Sequence, residues 1–343
     1  MWLFTRWRLS ITLLSNFTGI CCTVTVKAVS HSKNKDDTMK IYCQFPIHKP
    51  AIEAHFGQRV TCVESPGDAD YLLSGRFTAD MYHPDLKGVI IPYTGHDQIE
   101  IETMRQHNLK LFNVTGHSRF VAERALQLLH AITGKVVAYH NRLAKGDWSG
   151  RTTANDRIPW DSLFERRIGL FGYGRIGQWI ATLLKPYAPA LCVIDRGKRY
   201  EGVETVPDLH ALAELSEIMI ISTPLTPETE GVFNRAIFEK LGAAYLINVG
   251  RGKIVDETAL YEALASKKLQ GYASDVWFNY PKDEQPTYPT NTPIHTFDNV
   301  VMTPHSGGHT TTSFSVMVAE IIGHLEALLE GDFSAALDLG RLT

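Results

Sequence analysis

The sequence predicts an α/β protein built from two doubly wound, parallel-sheet domains with a cleft between them. Three observations predict it. From Met39 onward, short apolar runs alternate with helical stretches, the pattern of parallel strands covered on both faces. The 343-residue length suits about two domains, each able to bury its own core. The composition is 44% apolar, 21% charged and 10% aromatic, which excludes a disordered or fibrous chain.

The elements follow in order. Ile41–Phe45, Tyr71–Leu73, Gly88–Ile91 and Leu109–Val114 read as short strands, with helices at Ala51–Phe56 and Gln98–Gln106 between them. Phe120 to Leu143 reads as one long helix, with Val121, Leu126, Leu129, Ile132 and Val136 on one side. A loop rich in Gly, Thr and Asp spans Gly146–Asp161. Arg167–Phe171 then opens a second series of βα units. Its clearest further strands are Val193–Asp195, Ile218–Ser222, Ala244–Asn248 and Val300–Thr303. Thr311–Glu330 closes the chain as an amphipathic helix with Val316, Ile321, Leu325 and Leu328 as its apolar stripe. The expected division is residues 39–115 plus 304–343 as one domain and 116–303 as the other.

Residues 1–38 differ from the rest. They carry a charge of +3 with no acid before Asp36, leaving -6 for the remainder of a chain whose net charge is -3. Polar residues interrupt the run Ile11–Val29, so it does not read as a membrane span. It reads as an over-extended start preceding Met39, as a basic, hydroxyl-rich presequence, or as a poor secretory signal with Ala28-Val29-Ser30 as a weak cleavage pattern. The expected location is cytoplasmic, or organellar if the stretch is a true presequence.

The near-neutral charge gives no footprint for nucleic acid or an anionic membrane. Cys21, Cys22, Cys43, Cys62 and Cys192 form no CxxC pair and no metal-ligand spacing, so they read as free thiols and no metal site is expected.

Gly172-Tyr-Gly174-Arg175-Ile176-Gly177 is a GxGxxG motif between a strand and a helix. Gly172 permits a tight turn, Gly174 lets backbone N–H groups approach a pyrophosphate, and Gly177 lets the helix pack on the strand. Asp195 ends the next strand, 18 residues after Gly177, where a carboxylate accepts hydrogen bonds from ribose hydroxyls and repels a 2′-phosphate. The expected cofactor is NAD(H), with Arg196, Lys198 and Arg199 softening the preference over NADP.

At these residues the sequence resembles the D-isomer-specific 2-hydroxyacid dehydrogenases, which include the NAD-dependent formate dehydrogenases. The resemblance spans nearly all of Met39 to Gly331. Gly95-His96-Asp97-Gln-Ile resembles the family's substrate-carboxylate turn, and Val121-Ala-Glu123 the start of its interdomain helix. Ser222-Thr223-Pro224-Leu-Thr-Pro-Glu-Thr229 resembles the loop beside the nicotinamide. Asn248-Val249-Gly-Arg251-Gly252 resembles the arginine motif, Asp275-Val-Trp the carboxamide-contacting segment, and Thr303-Pro-His305-Ser-Gly-Gly308 the histidine motif. The resemblance implies two Rossmann-like domains, a flavodoxin-like substrate domain and an NAD-binding domain. It also implies a small carboxylate substrate, closure about the cleft, and a homodimer with Gly146–Asp161 as the arm between subunits.

Hydride transfer to or from a 2-hydroxy acid needs an acid/base, a carboxylate clamp and a nicotinamide beside C2. His305 suits the first role and Arg251 the second. The family's third catalytic residue is a glutamate, and here Tyr280 stands in its place. Formate dehydrogenases carry glutamine there, and Asp275-Val-Trp-Phe resembles their segment. The Tyr280 hydroxyl is expected to orient His305 by one hydrogen bond, or else Tyr280 merely packs while Asp283 or Glu284 reaches the histidine. With the neutral Tyr280 in that place, His305 should have a lower pKa than in glutamate-bearing relatives. His117 occupies the position of the formate enzymes' asparagine, with Asn113 four residues upstream. His117 and Arg76 are therefore candidate substrate contacts, beside Gly95 and His96. Three functions follow: a D-2-hydroxyacid dehydrogenase or 2-oxo acid reductase, a formate-like or other atypical-substrate dehydrogenase, and an NAD(H)-sensing corepressor-type binding protein.

Overall fold

The structure, a computed structural model, describes residues 6–10, 25–29, 38–151, 159–242 and 244–342. β1 (Arg6–Ser10) and β2 (Thr25–Val29) pair antiparallel. The rest of residues 1–37, and with it the reading of that stretch as a leader or a false start, lies outside the described residues.

The first α/β unit runs β3 (Met39–Cys43), α1 (Lys49–Phe56), β4 (Val60–Val63), β5 (Tyr71–Leu73), β6 (Gly88–Ile91), α2 (Ile101–Gln106) and β7 (Lys110–Asn113). Its five strands are all parallel, in the order β4-β3-β5-β6-β7. β5 and β6 are buried along their whole length, as covering on both faces requires.

The second unit opens with α3 (Ser118–Thr133) and α4 (Val136–Leu143). It continues through β8 (Arg167–Phe171), α5 (Arg175–Leu184), β9 (Ala190–Ile194), β10 (Val203–Val206), α6 (Leu209–Leu215), β11 (Ile218–Ile221) and α7 (Arg235–Leu241). It ends with β12 (Tyr245–Asn248), α8 (Glu257–Ala265), β13 (Gly271–Ser274) and β14 (Val300–Met302). Seven parallel strands lie in the order β10-β9-β8-β11-β12-β13-β14, so the direction of winding reverses between β8 and β11. Ala122, Ala125, Leu128, Leu129 and Ile132 of α3 cover one face of this sheet, and α6, α7 and α8 cover the other. The last helix, α9 (Ser313–Leu329), returns to the five-stranded sheet and fills its core with Ile321, Leu325 and Leu328.

Several elements depart from the sequence reading. The helix expected from Phe120 to Leu143 is two helices, parted at Gly134-Lys135, where Lys135 takes a left-handed φ of 52°. The break turns Val136 off the buried stripe and leaves it 57% exposed. The helix expected from Gln98 begins at Ile101, because Ile99 is bridged in extended form to Phe77. The apolar pattern does not mark strands β4, β10 and β13. β4 and β10 are sheet edges that are half-wet and carry Thr and Glu, while β13 is rich in small residues. Cys43, Cys62 and Cys192 are free thiols, and Cys21 and Cys22 lie outside the described residues. Among the described residues no helix is long and apolar enough to cross a membrane.

Candidate active site

The site residues gather at the C-terminal ends of the strands, where an open α/β sheet leaves a crevice. Arg251 follows β12 on a turn stapled by the fully buried Asn248. The Asn248 side chain donates to Arg251 O at 3.0 Å and accepts from Gly250 N at 3.0 Å. The guanidinium reaches the five-stranded unit: Nη2 and Nε donate to Asp97 Oδ1 at 2.7 and 3.2 Å, while Nη1 donates to Gly250 O at 2.9 Å. A Cβ on Gly95 would lie 2.1 Å from Arg251 Nη2, so the guanidinium rests against bare backbone there. Burial alone would raise the Asp97 carboxyl, but the Arg251 hydrogen bonds and charge outweigh it and hold the group below its ordinary value.

His305 follows β14 and takes a left-handed φ of 54°, a backbone state that a non-glycine residue keeps only when its surroundings impose it. Asp275, 2% exposed after β13, imposes it from both sides. Its Oδ1 accepts from Thr303 Oγ1 at 2.5 Å and Ser306 N at 3.0 Å, and its Oδ2 accepts from Gly307 N at 2.7 Å. Trp277 Nε1 adds a bond to Thr303 O at 2.8 Å. Burial and then the Arg251 charge lower the His305 pKa below its usual value, against the opposing pull of Asp275 and Asp97.

Tyr280 does not make the hydrogen bond expected of it. Its ring packs on His305 with centroids 5.5 Å apart, while its hydroxyl accepts from Trp277 N at 3.1 Å. The short turn folds Tyr280 back on its own loop three residues earlier. Asp283 likewise serves its own loop, accepting from Gln285 N at 2.9 Å, and among the described residues no carboxylate pairs with His305.

His117 lies at the N-terminus of α3 and is 6% exposed, with Nε2 3.3 Å from Thr94 Oγ1. Its Nδ1 is buried without a partner, and its Cδ2 lies 3.4 Å from where a Cβ on Gly308 would stand. His117 thus sits between the Thr94 turn and the loop after His305, packed rather than presented to open space. Burial lowers its pKa and that of half-buried His96. Arg76 is exposed after β5. Two further side chains have partners that the sequence does not reveal, Asp97 within its motif and Glu320 outside any, and both act across long separations. Asp97 pairs with Arg251, and Glu320 on α9 accepts from Thr115 N at 3.0 Å and Gly116 N at 2.6 Å where the chain passes between sheets.

The glycine motif fits a dinucleotide. Gly172 has φ of 113°, and a Cβ there would lie 2.8 Å from Thr223 N. A Cβ on Gly177 would lie 2.3 Å from Gly172 O. Gly174, capping the ten-residue α5, faces open space with nothing within 4 Å of a Cβ. Two glycines are thus required by packing, and the third leaves the helix N-terminus bare for an anion. Arg175 is exposed and Ile176 half-buried on the first turn of α5, with Thr223, Pro224 and buried Val249 on the neighbouring strand ends. Asp195 follows β9 directly and is exposed, with Oδ1 accepting from Gly197 N at 2.8 Å and Oδ2 3.6 Å from Arg199 Nη2.

Residues 126–307 match the family model described as D-isomer specific 2-hydroxyacid dehydrogenase, NAD binding domain. The chain belongs to the D-isomer specific 2-hydroxyacid dehydrogenase family. It is 31% identical over 282 residues to a glyoxylate reductase of Thermofilum pendens, covering 78% of this chain and 79% of that one. It is 28% identical over 289 residues to a chloroplastic/mitochondrial formate dehydrogenase of Arabidopsis thaliana, covering 82% and 72%. Among solved structures it resembles the NAD-dependent formate dehydrogenase of Staphylococcus aureus in complex with NAD, with a TM-score of 0.69 and 26% identity over 86% of this chain and 96% of that one. Membership makes the protein an oxidoreductase with an NAD binding domain, and the glycine motif, Arg251, Asp275 and His305 all lie inside the matched residues.

Proposed function

We propose that the protein interconverts small 2-oxo acids and D-2-hydroxy acids with NAD(H), working mainly as a 2-oxo acid reductase. The observation that carries this reading is the pairing of a cation and an imidazole on one strand-end crevice, with the Arg251 charge near enough to depress the His305 pKa. Arg251 binds the substrate carboxylate and polarises the adjoining carbonyl. Protonated His305 gives its proton to the carbonyl oxygen in reduction, and neutral His305 takes the hydroxyl proton in oxidation. Asp275 and Trp277 hold the loop that aims the imidazole. The bare Gly174 and the first turn of α5 would hold the pyrophosphate and Asp195 the ribose. When bound, the nicotinamide supplies or accepts the hydride at C2.

Formate is the second reading, supported by the Asp275-Val-Trp-Phe segment and by the formate dehydrogenases among the relatives. Against it, the Asn113 amide is already donated to Thr94 O at 3.0 Å. The protein is proposed to be cytoplasmic and homodimeric. Val136, Val137 and Leu143 on α4, with Trp148 and Trp160 beyond it, are exposed apolar side chains that a second copy would cover. Residues 152–158 of the expected arm lie outside the described residues.

The test is NADH oxidation by the full chain with glyoxylate, hydroxypyruvate, pyruvate, 2-oxobutyrate and phenylpyruvate, with an Arg251→Ala variant alongside. Turnover of at least one acid, falling about a hundredfold or more in the variant, is expected. Silence across the panel with NADH binding intact by fluorescence overturns the oxo acid reading, and formate with NAD is then the substrate to try.

A further inference from the structure

The chain passes between its two sheet units at residues 114–117, after β7, and again at residues 303–312, between β14 and α9. His117 lies on the first passage and His305 on the second. One carboxylate grips the first passage. Glu320, near the middle of α9, accepts from Thr115 N at 3.0 Å, from Thr115 Oγ1 at 3.1 Å and from Gly116 N at 2.6 Å. Two consecutive backbone N–H groups are thus satisfied by one side chain, in charge-assisted bonds of the stronger kind. The passage lies so close to α9 that a Cβ on Gly116 would stand 2.7 Å from Val316 Cγ1 and 2.9 Å from Glu320 Oε2.

The gripped passage touches both sides of the crevice. Towards the five-stranded sheet, Asn113 Nδ2 donates to Thr94 O at 3.0 Å, and His117 Nε2 lies 3.3 Å from Thr94 Oγ1. Thr94 leads directly into the Gly95–Asp97 turn, whose Asp97 holds Arg251. Towards the His305 loop, His117 Cδ2 stands 3.4 Å from where a Cβ on Gly308 would be. The Glu320 charge reaches His117 as well, opposing the fall that burial imposes on the imidazole pKa. Glu320 therefore joins the helix that follows the His305 loop to a passage 205 residues earlier that rests against both halves of the site.

We propose that Glu320 is a positioning residue for the reaction. It fixes the first passage and, through His117 and Thr94, sets the Gly95–Asp97 turn against the Arg251 and His305 side of the crevice. The proposal deepens the oxo acid reading above and rests on it for its catalytic readout. A substrate held between the turn and the clamp reacts only when the two sides stand at the right separation, and a displacement of about 1 Å can cost about a hundredfold in rate. The dinucleotide differs in this respect. Gly174 and Asp195, proposed to hold it, both lie in the seven-stranded unit, so its affinity should not depend on Glu320.

The test uses the full chain with Glu320→Ala, Glu320→Gln and Thr115→Val. For an oxo acid that the unaltered protein reduces, kcat should fall about tenfold or more in Glu320→Ala and less in Glu320→Gln, which keeps one acceptor oxygen. NADH affinity by fluorescence should not change. Adding Asp97→Asn to Glu320→Ala should lower kcat by less than the product of the two separate losses, because both residues act on one separation. Hydrogen exchange reads the same tether without turnover. Amides of residues 93–98 and 305–309 should exchange faster in Glu320→Ala, with those of β8, β11 and β12 unchanged. The proposal is overturned by an unaltered kcat, by an NADH affinity that falls in step with kcat, by losses that multiply independently, or by faster exchange confined to α9 and residues 114–117. Where Glu320→Ala does not fold, Glu320→Gln and Thr115→Val are held to the same outcomes. If the unaltered protein reduces no oxo acid, the oxo acid reading falls, and the exchange comparison alone decides the tether.

Discussion

Arg251 Nη2 stands 2.7 Å from Asp97 Oδ1 and joins the two sheet units across the crevice. Both guanidinium contacts fall on the same carboxylate oxygen, so the acid holds the clamp in place while competing with a substrate carboxylate for it. Asp97→Asn should therefore lower KM for oxo acids several-fold and lower kcat, because the two units lose their charged tie. Asp97 also pulls the His305 pKa up against Arg251, so its loss should move the alkaline decline of reduction to lower pH. Steady-state kinetics across pH check both effects.

The pH dependence itself has a definite sign. Reduction needs the imidazolium and fades as pH rises through the His305 pKa, whereas oxidation needs the neutral ring and grows through the same value. Burial and Arg251 place that value below 6.5, so reduction should already be falling below the midpoint of an ordinary imidazole. Tyr280→Glu puts a carboxylate beside the ring, and the midpoints of both profiles should rise by about one pH unit. Profiles that do not move would show that residue 280 has no electrostatic hold on the histidine.

The glycine motif separates packing from binding. Gly174→Ala meets nothing within 4 Å, so the protein should fold with an unchanged melting temperature yet bind NADH about tenfold more weakly. Gly177→Ala drives a methyl to 2.3 Å from Gly172 O and should lower the melting temperature as well as the affinity. Thermal unfolding and NADH fluorescence titration distinguish the two.

Asp275 accepts three hydrogen bonds while almost fully buried. Asp275→Ala should cost about 2 kcal/mol or more of stability and release His305 from its left-handed backbone. Urea unfolding measures the first effect. A fall in kcat larger than the change in KM reports the second.

Legibility in the sequence followed burial and distance. The strands buried on both faces, such as Gly88–Ile91 and Ile218–Ile221, announce themselves as apolar runs. The edge strands Val60–Val63 and Val203–Val206 do not, because half of each faces water. The break after α3 was hidden because a left-handed Lys135 has no signature of its own beside Gly134. Arg251 and His305 stand out by motif, and the structure brings the arginine near enough for its charge to act on the imidazole. The partnership of Arg251 with Asp97 spans 154 residues and leaves no periodic trace. The Tyr280 hydroxyl went to its own turn, because a bond three residues back closes with less loss of entropy than one to a separate loop.

The return of α9 to the five-stranded sheet has a consequence for how the chain is made. Residues 39–113 leave the ribosome early, but Ile321, Leu325 and Leu328, which complete their core, are synthesised more than 200 residues later. Until then α1, through Ile52 and Phe56, is the helix covering that face, and the amides of Thr115 and Gly116 wait for Glu320. The seven-stranded sheet, whose helices come from adjacent sequence, can finish during translation. The first sheet made is thus the last to close, and the nascent chain carries the part of its apolar face that α9 covers exposed until synthesis is nearly complete.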